Sequence, residues 1–91
     1  MILSEHKQWL ESNLTDPPND LWREILDRGR VHYKTSLIGD LIERRFIKKE
    51  KAKKSYYEMD IARRTYYGWL DEVLNFYIIV CVKEGVVKLY D

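Results

Sequence analysis

Lys51, Lys53 and Lys54, followed by Arg63-Arg64-Thr65, are the side chains in this sequence best suited to chemistry, and that chemistry is anion recognition. A run of ammonium groups ahead of two guanidiniums and a hydroxyl can neutralise and hydrogen-bond phosphate oxygens. If Arg63-Arg64-Thr65 opens a helix, its first unpaired N–H groups and the helix dipole add to that attraction, and the arginines can reach guanine edges. The charge distribution supports this choice. Net charge is only +1, but residues 1–43 carry −3, residues 44–64 carry +6 and residues 65–91 carry −2. The central block holds Arg44, Arg45, Lys48, Lys49, Lys51, Lys53, Lys54, Arg63 and Arg64 against Glu50, Glu58 and Asp60.

Other chemistries find less support. The single Cys81 cannot form an internal disulfide, and within Ile78-Ile-Val-Cys-Val82 it reads as a buried, inert thiol. His6 and His32 lack a nucleophile or carboxylate at a catalytic spacing, and two histidines with one cysteine build no common zinc site. Gly29, Gly39, Gly68 and Gly85 are isolated, so no glycine-rich phosphate loop exists, and Asp71-Glu72 face different directions on a helix. No enzyme, metal or cofactor is expected. The longest apolar run, Phe76 to Val82, is seven residues, against the roughly 20 needed to cross a bilayer. A cytoplasmic protein without a membrane partner is expected.

Helical periodicity dominates the elements that must position the cations. Leu3, Leu10 and Leu14 make a sparse stripe for a helix over 4–13 that Ser4 caps. Asp16 before Pro17-Pro18 predicts a second helix over 17–28, with Leu21, Trp22, Ile25 and Leu26 on its inner face and Gly29 as its stop. After a connector, Thr35 or Ser36 caps a third helix over 36–48 with Leu37, Ile38, Leu41, Ile42 and Phe46 inward. A short polar helix follows over 51–59 and is interrupted at Asp60. From Ile61 or Ala62 a long helix carries Tyr66, Leu70, Val73, Leu74 and Tyr77 inward, and its apolar end through Val82 is expected to be buried. Gly85 closes it, and Val86 to Tyr90 reads as a short strand or an extended tail.

The fold class is therefore all-α: a small helical domain with a short basic helix, a tight turn and a long helix in the order of a helix-turn-helix. Within it, Met59-Asp-Ile-Ala-Arg-Arg-Thr-Tyr-Tyr-Gly-Trp-Leu70 resembles the Leu-Gly-Ile-Ser-x-x-Thr-Tyr-Tyr-Arg-x-(Leu/Lys) signature of phage transcription regulators of the RinA/ArpU type, which are similar to sigma-factor region 4. Ile42-Glu-Arg-Arg-Phe-Ile47 resembles the preceding helix of that group, and the likeness spans roughly residues 38–80. It implies a sequence-specific DNA-binding regulator of phage or prophage origin, acting in the bacterial cytoplasm with RNA polymerase as a possible partner. The departures are Ala62 for the capping Ser, Asp60 for the turn glycine and Gly68 for a basic residue.

On this reading Arg63, Arg64 and Tyr67 line the major groove, while Lys51, Lys53, Lys54 and Thr65 hold phosphates. Residues 35–91 form the DNA-binding region. Residues 1–34 form a helical hairpin that packs on it, or present Trp9 and Trp22 to a second copy or another protein, since Trp is enriched at binding hot spots. A chain of this size gains stability from dimerisation, so a homodimer is expected. Two alternatives stay open: a protein-interaction module with a degenerate helix-turn-helix that binds a transcription factor or polymerase subunit, and an adaptor of the small-terminase kind for DNA packaging.

Overall fold

The computed structural model describes residues 4–86, which form helices with no strand among them. Helix α1 spans Ser4–Thr15, two residues past its expected end, and places Leu10 and Leu14 in the core. Helix α2 spans Asp20–His32 and begins three residues later than predicted. Pro18 confines Pro17 to extended backbone, so Asp16 cannot cap a helix opening there. Asn19 caps instead, its side-chain oxygen accepting from the Trp22 N–H at 3.0 Å. Gly29, expected to stop α2, lies inside it, and Tyr33 ends the helix with its N–H bonded to the Gly29 carbonyl.

Ser36 caps α3, Leu37–Ile42, as expected, accepting from the Ile38 N–H at 3.0 Å. The predicted helix to residue 48 then changes character. A π-helical turn occupies Glu43–Ile47, and Lys48 donates to the carbonyl five residues back. Lys49 leaves it in the left-handed region at φ 58°. Helix α4 spans Ala52–Glu58, residues 59–62 connect with Asp60 at φ 56°, and α5 spans Arg63–Lys83. Gly85, at φ 74°, closes α5 in a Schellman motif, with the Val86 N–H on the Cys81 carbonyl and the Gly85 N–H on that of Val82. The strand or tail expected at Val86 to Tyr90 lies outside the described residues from Val87 onward.

Helices α1, α2 and α3 pack on one side of α5 around one core. Tyr66, Leu70, Val73, Leu74 and Tyr77 point into it, as their spacing predicted, with Leu10, Leu14, Ile25, Leu41, Ile42 and Phe46 opposite. The expected burial of the whole apolar end of α5 does not hold. Ile78, Val80 and Cys81 are buried, but Ile79 is 54% exposed and Val82 faces solvent, because the covering helices reach only one side. Among the described residues no helix is long and apolar enough to cross a membrane.

Three core groups hold their protons against alkali. Burial pushes the Cys81 thiol up to about 11 and raises Tyr77, and burial followed by the nearby Glu72 carboxylate raises Tyr33. In the unfolded chain the thiol ionises near 9.0 and the phenols near 10.0. Each folded value lies above its unfolded one for an acid that is neutral when protonated. Their contribution is thus complete below the unfolded values and is lost as pH rises through the folded ones. The urea midpoint is expected to fall steadily above pH 9, and Cys81→Ala should delay the onset of that fall. Parallel profiles for the two proteins would remove Cys81 from the account.

Candidate nucleic-acid interface

Arg44 and Arg45 lie in the basic block, yet both are turned inward by the π-helical turn. Arg44 binds Asp40 at 3.0 Å, Glu50 at 3.1 Å and Glu58 at 2.7 Å. Its charge is held first by the bond to Glu58 and then by Asp40. Glu50 is low in pKa despite its burial, because the Ser55 hydroxyl, Arg44 and Lys54 all favour the carboxylate. Arg45 binds Glu11 at 2.7 Å and donates to the Tyr66 hydroxyl at 3.2 Å, which sustains its charge against burial. These two arginines dock α4 and α1; they do not face outward to a ligand.

The pairing has an electrostatic consequence. Glu50 and Glu58, two of the block's three acids, are drawn to Arg44, which they share with Asp40, so neither is paired with a lysine of the block. Lys48, Lys49, Lys51, Lys53, Lys54, Arg63 and Arg64 form no ion pair among the described residues, and all seven are exposed. Lys48 and Lys49 were not singled out from sequence, although they sit in the same charge run. Their place beside Lys51 depends on the left-handed turn at Lys49, which helical periodicity does not reveal.

Helix α4 packs on the start of α5 through Tyr56, whose ring lies 5.8 Å from that of Tyr66. This contact brings the predicted lysines and arginines onto adjoining elements. Arg63 lies 5.5 Å over the Tyr67 ring and Lys53 6.0 Å over the Tyr57 ring, so two cations are held by aromatic faces that are themselves exposed. Thr65 is half-buried one position beyond. Ala62 occupies the N-cap of α5 without a side-chain bond, and Asp60 does not substitute for it. With no acid in its first turn either, α5 begins with open N–H groups beside Arg63 and Arg64.

Gly68 lies one turn after Arg64 on the outer side of α5, and a Cβ built there meets nothing within 4 Å. Gly68→Ala is therefore expected to raise stability by about 1 kcal/mol through helix propensity. Denaturant titration checks this, and a loss of stability would mean that the position is crowded.

The two tryptophans expected at a partner surface separate. Trp22 is 5% exposed within the core, and Trp9 is 36% exposed, packed edge-on against it at 5.2 Å. Trp22 is thus a packing residue in the single chain, and only Trp9 is presented to solvent.

Comparison with known proteins gives no matching family model, no matching curated protein and no matching solved structure.

Proposed function

We propose that this chain is a sequence-specific DNA-binding transcription regulator that offers α4, the 59–62 turn and the start of α5 to duplex DNA as a helix-turn-helix. The observation that carries the reading is that Lys51, Lys53 and Lys54 at α4 and Arg63 and Arg64 at the start of α5 are exposed and form no ion pair among the described residues, while Glu50 and Glu58 pair with Arg44 instead. In this reading Lys51, Lys53, Lys54 and Thr65 hold phosphates, and the open N-terminus of α5 supports them. Arg63, Arg64 and Tyr67 enter the major groove, with the Tyr67 ring keeping the Arg63 guanidinium extended. The likeness of residues 59–70 to phage regulators of the RinA/ArpU type agrees with it and suggests promoter DNA in a bacterial cytoplasm as the target, with RNA polymerase as a partner.

Fluorescence anisotropy of labelled duplex DNA across a salt series tests the proposal. Log affinity should fall linearly with log salt, with a slope of about −0.9 for each phosphate neutralised. No binding at about 50 mM salt, where the counterion term is strong, would overturn it. In that case the cationic face would belong to an acidic protein partner.

A further inference from the structure

Along the outer side of α5, Glu72, Phe76, Ile79 and Lys83 recur at spacings of four, three and four, the spacing of a heptad seam. The order is an acid, two apolar residues and a base. Read backwards it presents its own complement. A two-fold axis midway between Tyr77 and Ile78 places Phe76 opposite Ile79 of a second copy and Glu72 opposite Lys83. Each contact then occurs twice.

The surface carries the marks of such a seam. Ile79 is 54% exposed, Trp69 and Phe76 are only partly covered, and Val82 and Val31 flank the stripe, Val31 at 71% exposure. Phe76 is held in place from behind, stacked on His32 at 4.4 Å and edge-on to Tyr33 at 5.6 Å, so its position is set before any partner arrives. Neither Lys83 nor Glu72 makes an ion pair among the described residues. The neighbouring charges are already matched, Asp71 to Lys7 and Glu84 to Arg28. Asn75, on the flank, is neutral.

We infer that this stripe is an isologous interface on which a second copy of the chain packs, α5 against α5, antiparallel. The self-complementary charge order selects an identical chain over another apolar partner, because an acid at one end and a base at the other satisfy each other only when the same sequence runs the opposite way. Arg63 lies about 22 Å along α5 from the centre of the seam, at 1.5 Å per residue, so the interface leaves the cationic end of each copy open. The inference therefore stands apart from the DNA reading.

Sedimentation equilibrium of the full chain tests it. The mass should rise with concentration from the 11.1 kDa monomer to twice that value and no further. Ile79→Glu should hold the protein at the monomer mass with its helical circular dichroism intact. Glu72→Lys and Lys83→Glu should each raise the dissociation constant on the order of tenfold, because either change turns two attractive pairs repulsive. An equimolar mixture of these two variants should restore wild-type affinity, since only the mixed dimer pairs every charge. Lys51, Lys53 and Lys54 changed together to Ala should leave the dimer constant unchanged. A monomer at every concentration, an assembly larger than two, indifference to Ile79→Glu or failure of the mixture to recover would each overturn the inference.

Discussion

Gly29→Ala should destabilise the protein by about 2 kcal/mol, the opposite sign to the same substitution at Gly68. Both glycines lie within helices, where alanine alone gains about 1 kcal/mol of propensity. At Gly29, where α2 packs on α5, a Cβ would overlap the hydroxyl and ring of Tyr77. The ring must move, and with it the bond by which the Tyr77 hydroxyl donates to the Leu26 carbonyl at 2.7 Å. Overpacking costs roughly 1–3 kcal/mol and the bond about 1, which outweighs the gain in propensity. For a domain of this size the melting temperature should fall by roughly 10 °C. Tyr77→Phe removes the nearest overlapping atom, so the double variant should cost less than the two single variants added together. Equal and additive behaviour at the two glycines would mean that α2 and α5 are not in this contact.

The largest functional effect is expected from changing Lys51, Lys53 and Lys54 together to Ala. If each neutralises one phosphate, the salt slope should become shallower by about 2.7. The loss of affinity follows from the same relation: roughly three and a half decades at 50 mM salt and about two at 200 mM. All three side chains are exposed and unpaired among the described residues, so the fold should be retained, which circular dichroism can verify. A uniform loss across DNA sequences is expected, because phosphate contacts position the protein without reading bases. An unchanged slope would remove the lysines from the interface, and an affinity loss confined to one sequence would reassign them from phosphate to base contacts.

Much of the architecture could be read directly from residue spacing. The inner stripe of α5, Tyr66 through Tyr77, follows from apolar residues at helical intervals, and the Ser36 cap and the Gly85 stop follow from their side chains and backbone preferences. Asp60 takes the left-handed turn that its type allows. These are local properties, determined within a few residues of chain. The start of α2 was misplaced although its cause is also local: the second proline holds the first extended and passes the cap to Asn19.

The candidate interface was legible only as a list of cations. Sequence counted nine bases in the central block but could not divide them, because Arg44, Arg45 and the lysines have the same sign in any local window. Only the fold brings Glu50 and Glu58 onto Arg44, and Glu11, from a helix 34 positions earlier, onto Arg45. The same limit applied to Gly29, which reads as a helix stop until Tyr77, far along the chain, is placed against it. It applied also to Ile79 and Val82, whose apolar character says nothing about whether a neighbouring helix covers them. The sequence by itself determined a mostly helical chain, the inner face of its longest helix and the location of its positive charge. The tertiary structure alone decided which charges are already matched, which glycine admits a neighbour and which apolar face is left bare, because each depends on groups distant in sequence meeting in space.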